Sequence, residues 1–249
     1  MIMDKLNDIT NSYQKDSTTY LLSQFFQEHI HEIPYLTIGE IAQRTHISKS
    51  QISKYVRHLD YKDYIDFKDA CMNYITSLER RQNPFERHDS FEVNAEIFNK
   101  EFFNQINYSM THIDNKNINR LIQQINQAKT VYLYGQGDAR FLCYQIQTEL
   151  QILNKHAIVS DSDFNLNYNI APDDLFILLS INGNTFKYNH NIVRRLDAVT
   201  AQRWLVTSKD RLNFNGNQLI FPVEDNRYSE YLFKYMIDLL LLNIKRVQD

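Results

Sequence analysis

Hydrophobic residues in the first third of the chain recur at helical spacing. One series falls about one helical turn apart and comprises Leu21, Leu22, Phe25, Phe26 and Ile30. This is the pattern of an amphipathic helix with one buried face, and Pro34 predicts where that helix stops. A later series comprises Ile65, Ala70, Cys71, Ile75 and Leu78. The N-terminal part of the chain is therefore predicted to be all-α.

The rhythm changes at Val131. From there the apolar residues form short runs, "VYLY", "AIVS", "LFILLS", "RWLVT" and "LIFPV". Helical patterns separate most of these runs, over residues 141–153 and 186–198. Strands that alternate with helices predict an α/β domain with a doubly wound, mostly parallel sheet covered on both faces, a flavodoxin-like layering.

The two halves are joined by a polar segment, "RRQNPFERHDS", which contains Pro84 and marks the start of a linker. A helical pattern, "EIFNKEFFNQINYSM", follows it. We therefore divide the chain into an all-α domain at residues 1–78, a helical linker at 79–112 and an α/β domain at 113–249.

Composition narrows the class of protein only slightly. The chain has 249 residues, of which 43% are hydrophobic, and a net charge of −3, so it can build real cores. Its two cysteines are far apart in sequence, which favours a reducing cytoplasm and argues against disulfides or a zinc site. The start of the chain lacks the apolar core of a signal peptide. Lys234 and Asp238 interrupt the last apolar stretch, so we expect a packed helix and no membrane association.

The segment from Leu36 to Lys68 contains two capping boxes. Thr37 is followed three residues later by Glu40, and Ser48 by Gln51, so each pair predicts the start of a short helix. Apolar residues at helical spacing give each helix a buried face, and Ile47 lies between the two helices. This is the layout of a DNA-reading helix-turn-helix.

The second of these helices leaves a polar, basic face for double-stranded DNA. The predicted DNA-binding residues are Lys49, Ser50, Gln51, Ser53, Lys54, Arg57 and His58. Five basic residues and one acidic residue between Arg44 and Lys62 give a local net charge of +4, which suits a DNA backbone. We predict that Gln51 pairs with an adenine edge and that Lys54 and Arg57 contact phosphates or a guanine. The alternative is a three-helix bundle with a solvated basic face.

The α/β half has two loops that follow apolar runs and contain glycine, "GQGDAR" and "SINGNT". In an open parallel sheet, such loops meet at the carboxyl ends of the strands and form a ligand site. The candidate ligand-binding residues are Gly135, Gln136, Gly137, Asp138, Ser180, Asn182, Gly183, Asn184 and Thr185. Arg140 stands where a dinucleotide fingerprint has its third glycine, which disfavours a nicotinamide site.

Both halves resemble known families. The segment "TIGEIAQRTHISKSQISKYVRHLDYKDYIDFK" is similar to the N-terminal domain of the RpiR (MurR/RpiR) family of transcriptional regulators, although His46 and Asp60 stand where that family often has glycine. The runs "VYLYGQGDAR", "APDDLFILLSINGNT" and "RWLVTSKD" resemble a SIS (sugar isomerase) domain. The resemblance implies a phosphosugar ligand, an operator DNA, a homodimer or homotetramer, and neither cofactor nor metal.

The loops depart from the SIS pattern in ways that leave the ligand open. Hydroxyl-bearing residues are common at the positions of Asp138, Ala139 and Asn182, and an ionised Asp138 can only accept hydrogen bonds. Three interpretations follow: a phosphosugar site with Asp138 on a sugar hydroxyl, an altered site for a neutral or amino sugar, or a vacant domain that only oligomerises. Arg140 or Lys187 is a candidate to offset the charge of Asp138.

SIS domains also occur in isomerases, so an enzyme is the alternative class. Isomerisation needs an acid or base beside the sugar. The candidates Glu149, His156, His190 and Glu224 form no recognisable constellation. The presence of a DNA-binding domain favours sensing, and we expect no catalytic residues.

Overall fold

The computed structural model describes residues 2–12, 15–80, 90–160, 168–188 and 190–246. It divides into two compact units, Met1–Gln82 and Asn83–Asp249. The predicted start of the linker around Pro84 lies outside the described residues.

The N-terminal unit is all-α, as predicted. Its elements are α1 (Ile2–Ser12), α2 (Thr18–Glu28), a 3-10 turn (Ile33–Tyr35), α3 (Ile38–Thr45), α4 (Lys49–His58) and α5 (Tyr64–Arg80). Helix α1 was not predicted, although its buried residues Ile2, Leu6 and Ile9 follow helical spacing. Helix α2 stops at Glu28, before Pro34, which lies instead within the 3-10 turn.

Phe26 is the centre of the N-terminal core. Its ring lies 5.8 Å from that of Tyr55 and 4.8 Å from that of Phe67, measured between centroids. The buried face of α2 is centred on Leu22 and Phe26, which are one turn apart. Leu21 is therefore turned outward and is 47% exposed, contrary to the prediction from apolar spacing.

The C-terminal unit is an α/β domain. Its elements are α6 (Phe91–His112), α7 (Asn115–Gln127), β1 (Val131–Gly135), α8 (Asp138–Ile152), β2 (Ala157–Val159), β3 (Leu175–Leu179), α9 (Asn184–Tyr188), α10 (His190–Asp197), β4 (Gln202–Thr207), β5 (Asn217–Ile220) and α11 (Ser229–Arg246). Within the described ranges the sheet has five strands in the order β2-β1-β3-β4-β5, and every pairing is parallel. This order is that of a flavodoxin-like doubly wound fold, which confirms the predicted fold class.

Alternate residues of each central strand face two different cores. Leu133 on β1 lies in a core with residues of α7, α8 and α11. Its neighbour Tyr134 lies in the opposite core, with Ile192 and Leu196 of α10. Because helices cover both faces, β1 and β3 are buried at every position.

Helix α6 belongs structurally to the C-terminal unit, although its residues fall within the predicted 79–112 linker. The ring of Phe98 contacts that of Tyr231 on α11, with centroids 4.9 Å apart. The side-chain oxygen of Gln105 accepts hydrogen bonds from the backbone N–H groups of Glu224 and Asp225, each at 3.0 Å. These contacts attach α6 to the edge of the domain where α11 begins.

The turn from β1 into α8 depends on two glycines. A Cβ atom at Gly135 would lie 2.8 Å from the backbone carbon and oxygen of Ala139, closer than real contacts allow. Gly137 has φ 60° and ψ −134°, a backbone conformation that essentially only glycine adopts. Two of the chain's five glycines therefore permit α8 to start directly above the end of β1.

We predict that Gly135→Ala destabilises the C-terminal unit by roughly 1–3 kcal/mol, because the new methyl group displaces the first turn of α8. The measurement is equilibrium unfolding in urea. Gly39→Ala in α3 is the matched control: its Cβ would meet the flexible end of Lys49 at 3.4 Å and the Thr37 hydroxyl oxygen at 3.7 Å, which are tolerable contacts, and alanine favours the helix. Equal stability of the two variants would contradict this account of the turn.

The reactivity of the Cys71 and Cys143 thiols should report separately on the unfolding of the N-terminal and C-terminal units. Cys71 and Cys143 are both buried, and burial raises the pKa of the Cys71 thiol to about 12 and that of Cys143 further still. At pH 8 both thiols are therefore protonated as well as inaccessible, and we expect neither to react with Ellman's reagent until its unit unfolds. Rapid reaction of either thiol in the native protein would show that its core is open.

Candidate functional site

Both predicted capping boxes are present. The Thr37 hydroxyl accepts the N–H of Glu40 at 3.2 Å, and the Glu40 carboxylate accepts the N–H of Thr37 at 2.7 Å. At the start of α4, the Ser48 hydroxyl accepts the N–H of Gln51 at 3.3 Å. The Gln51 side-chain oxygen accepts the N–H of Ser48 at 3.2 Å. These bonds fix where α3 and α4 start, and confirm the predicted helix-turn-helix layout.

The turns around α4 use left-handed residues where the RpiR family often has glycine. His46 has φ 56° at the end of α3, and Asp60 has φ 64° after α4. Lys5 of α1 holds the second turn: its ammonium donates to the carbonyl of Leu59, lies 3.3 Å from the Asp60 carboxylate and sits over the Tyr61 ring. The polar substitutions therefore keep the turn geometry, and α1 stabilises the end of α4.

The exposed face of α4 carries the residues predicted to bind DNA. Lys49, Ser50, Gln51, Lys54, Arg57 and His58 are exposed, whereas Ser53 is half-buried. The end of the Lys49 side chain lies beside Gly39 at the start of α3. The Gln51 side chain is part of the capping box, a contact that the prediction of adenine pairing did not consider.

Ion pairs remove some of the predicted basic charge and leave the rest on α4. Arg44 pairs with Glu32 at 2.7 Å, and this hydrogen bond holds the pKa of Glu32 below its usual value. Among the described residues, Lys54 and Arg57 make no ion pair. The unneutralised positive charge of this segment is therefore concentrated on the exposed helix face.

In the C-terminal unit, strand register brings the two glycine-containing loops together. Gly135 at the end of β1 pairs with Leu179 at the end of β3, so Gln136 and Ser180 begin their loops at the same height. This point, where strand order reverses, is the ligand crevice of a doubly wound sheet. Of the predicted ligand residues, Gly135, Gly137, Ser180, Gly183 and Thr185 are buried, Gln136 is half-buried, and Asp138, Asn182 and Asn184 are exposed.

The second loop is held in shape by its own hydrogen bonds. The Ser180 hydroxyl accepts the N–H of Thr185 at 3.4 Å, and the Ser180 carbonyl accepts the N–H of Gly183 at 3.2 Å. Gly183 has φ +72°, and a Cβ there would lie 3.1 Å from a methyl group of Leu212. The segment after β4 therefore packs directly against this loop.

Sequence reasoning missed three hydroxyls at the same edge of the sheet. Ser160 donates to the carbonyl of Leu133 at 3.1 Å, and Thr207 donates to that of Ile181 at 3.2 Å. Ser208 donates its N–H to the same Ile181 carbonyl at 2.8 Å. Each of these residues ends or directly follows a strand, a signal that was available in the sequence. The hydroxyls of Ser160 and Thr207 brace the loops, whereas the buried Ser208 hydroxyl has no hydrogen-bond partner in the described structure.

The charges near the loops differ from the prediction. Asp138 is the first residue of α8 and is exposed, a position where a carboxylate interacts favourably with the helix dipole. Arg140 donates to the Tyr144 hydroxyl at 3.2 Å and lies over that ring, so its guanidinium is directed along α8. The side chain of Lys187 lies outside the described residues.

Lys209 is a cation that the sequence reasoning overlooked. Its Cβ lies 3.6 Å from the position that a Cβ on Gly183 would occupy, and its side chain is exposed. Among the described residues it makes no ion pair. It is therefore available to a ligand seated on the second loop.

Two of the candidate catalytic residues, His156 and Glu149, lie away from the loops. His156 directly precedes β2, and its carbonyl accepts the N–H of Val131 at 3.0 Å, so it lies at the opposite, amino edge of the sheet. Glu149 is in the second half of α8, and the side chain of His190 lies outside the described residues. In the part of the chain that the structure describes, no three metal-binding side chains form a cluster.

No described helix is both long enough and apolar enough to span a bilayer.

Comparison with known proteins supports both halves of this reading. The SIS domain family matches residues 124–213. An uncharacterized HTH-type transcriptional regulator of Providencia stuartii is 27% identical over 197 residues, which are 76% of this chain and 68% of the relative. The HTH-type transcriptional regulator GlvR of Bacillus subtilis is 23% identical over 184 residues, 71% of this chain and 66% of GlvR. The match thus spans about two thirds of each relative.

Solved structures share the fold. The NanR protein of Vibrio vulnificus, solved in complex with ManNAc-6P, has a TM-score of 0.51 at 14% identity and covers 99% of this chain and 92% of its own. The phosphoheptose isomerase GmhA of Neisseria gonorrhoeae has a TM-score of 0.54 at 11% identity, covering 63% of this chain and 100% of its own. At this identity the likeness concerns the fold alone.

The SIS match and the doubly capped helix-turn-helix show an N-terminal helix-turn-helix unit joined to a C-terminal SIS domain, and over most of its length the chain is similar to two HTH-type transcriptional regulators.

Proposed function

We propose that this regulator binds operator DNA through α4 and responds to a sugar phosphate bound at the carboxyl edge of its SIS sheet. It acts in the cytoplasm, where the operator lies, as a homodimer or homotetramer. The observation that carries the proposal is the exposed Lys54–Arg57 face of the helix-turn-helix, which makes no ion pair within the described residues and lies in the same chain as a SIS domain.

The DNA half of the proposal rests on charge and rigidity. Lys54 and Arg57 are exposed and three residues apart, so both side chains extend from one side of α4. Capping bonds at the start of α4 and Lys5 at its end hold the helix in place. A rigid helix with cations on one face suits the major groove and its flanking phosphates.

The ligand half rests on the loop after β3. The backbone N–H groups of Gly183 and Thr185 are bonded within the loop, so the donors on offer are the hydroxyls of Ser180 and Thr185 and the exposed amide of Asn182. Donors of this kind suit phosphate oxygens, and Asp138 is then placed for a sugar hydroxyl. The NanR structure, which has the same fold and holds ManNAc-6P, supports this class of ligand.

We propose that Lys209 offsets part of the electrostatic repulsion between Asp138 and the phosphate of a ligand. A carboxylate about 4 Å from a phosphate charge costs on the order of 4 kcal/mol at an effective dielectric of 20. Arg140 is bound to Tyr144, whereas the Cβ of Lys209 lies beside Gly183 in the second loop. A lysine there offsets the repulsion and favours an anionic ligand over a neutral sugar.

The enzyme alternative is supported only by the shared fold of isomerases such as GmhA. Against it, His156 lies at the far edge of the sheet from the loops, and the relatives matched over most of the chain are named regulators. We therefore propose sensing without turnover. Steady conversion of a sugar phosphate by the purified protein would contradict this.

Replacing both Lys54 and Arg57 by alanine should weaken binding to duplex DNA. It should also lower the slope of log affinity against log salt concentration by roughly 0.9 per lost phosphate contact. Fluorescence anisotropy at several salt concentrations measures both quantities. Arg44→Ala is the control: it removes one positive charge where the double variant removes two, and Arg44 is already paired with Glu32. If the control and the double variant behave alike, α4 is not the DNA-binding face.

Lys209→Met should lower the affinity for ManNAc-6P by about tenfold, or about 1.4 kcal/mol, because the methionine keeps the side-chain length but removes the charge. Titration calorimetry against ManNAc-6P and a panel of other sugar phosphates and free sugars measures this. Arg140→Met is the control and should bind as the wild type does. Heat from free sugars alone would favour the neutral-sugar site, and no heat from any compound would favour a vacant domain.

A further inference from the structure

The side chain of Gln51 is hydrogen-bonded to Ser48 in the protein without DNA. Its oxygen accepts two hydrogen bonds from Ser48, one from the backbone N–H at 3.2 Å and one from the hydroxyl at 2.8 Å. In return, the Ser48 hydroxyl accepts the backbone N–H of Gln51 at 3.3 Å. Three hydrogen bonds between two residues therefore define the first turn of α4.

This engagement conflicts with reading an adenine. A glutamine that pairs with adenine in the major groove needs its oxygen to accept from N6 and its amide nitrogen to donate to N7. For Gln51 to present that oxygen, it must release Ser48, and the first turn of α4 then loses the glutamine half of its capping box. The same side chain cannot perform both roles at once.

A second row of exposed residues on α4 is not part of the capping box. Ser50, Lys54 and Arg57 are spaced by four and then three positions, so in an α-helix they lie within about 40° of one line. All three are exposed, and among the described residues neither cation of the row has an acidic partner. Lys49 is outside the row and lies beside Gly39, and Ser53 is half-buried.

We infer that Gln51 is a positioning residue that fixes the start of α4, and that Ser50, Lys54 and Arg57 read the bases. Arginine and lysine pair with the O6 and N7 atoms of guanine, so the half-site contains guanine opposite this row and no adenine specified by Gln51. This inference rests on the proposed DNA-binding function and adds to it the residues that determine specificity.

The decisive variants are Gln51→Glu and Gln51→Ala. Glutamate is the usual partner in a capping box and keeps the acceptor oxygen, but it cannot donate to adenine N7. We expect Gln51→Glu to retain the wild-type melting temperature, and Gln51→Ala to lower it. Ser48→Ala should lower it similarly, and the Ser48→Ala/Gln51→Ala double variant should lose little more than either single variant, because the bonds are shared.

Sequence preference is measured by selection from a pool of random DNA duplexes with the full-length protein. Gln51→Glu should select the wild-type consensus, with overall affinity lowered a few-fold at most by its negative charge, whereas Arg57→Ala should lose a guanine at one position. A changed base preference at one position in Gln51→Glu, with the other positions intact, would overturn the inference. If the wild type selects no sequence at all, the DNA-binding proposal itself fails and the inference fails with it.

Discussion

The candidate ligand site depends on the parallel register between β1 and β3. Because Gly135 pairs with Leu179, both strands end at one level, and the loops after them start side by side. Two local conditions allow a ligand crevice to form at that level. Position 135 is a glycine, where a side chain would collide with Ala139, and the backbone is left-handed at Gly137 and Gly183. Without these, α8 could not begin directly above its strand, and the crevice would be filled.

In the N-terminal helix-turn-helix unit, polar side chains fix the positions of α3 and α4. The 3-residue connection between α3 and α4 contains His46 in the left-handed backbone conformation that favours glycine. The conformational cost of that choice is offset by the capping boxes on both helices and by Lys5, which holds the turn at Asp60. Arg44 pairs with Glu32 and Asp60 with Lys5, so these charges are neutralised within the unit while Lys54 and Arg57 remain exposed on α4.

Much of this could be predicted from sequence, because the signals are local or periodic. Buried runs such as Leu175–Leu179 predicted the strands, and Thr37 and Ser48 predicted two helix starts. The sequence could not show which of the candidate functional side chains form hydrogen bonds or contacts with other residues. Gln51 bonds Ser48, Arg140 bonds Tyr144 and Lys209 lies beside Gly183. These contacts depend on side-chain rotamers and tertiary structure, which residue spacing does not predict.

Asp138 now has an explanation that does not require a ligand. As the first residue of α8, its carboxylate faces the positive end of the helix dipole, a favourable position whether or not the crevice is occupied. The same placement weakens the field that would otherwise attract an anion to that helix end. An anionic ligand must therefore draw its favourable electrostatics from the other wall, where Ser180, Gly183 and Lys209 lie together. In the proposed sugar-phosphate complex, the phosphate would therefore lie away from α8, and the α8 side of the crevice would be left to the sugar hydroxyls.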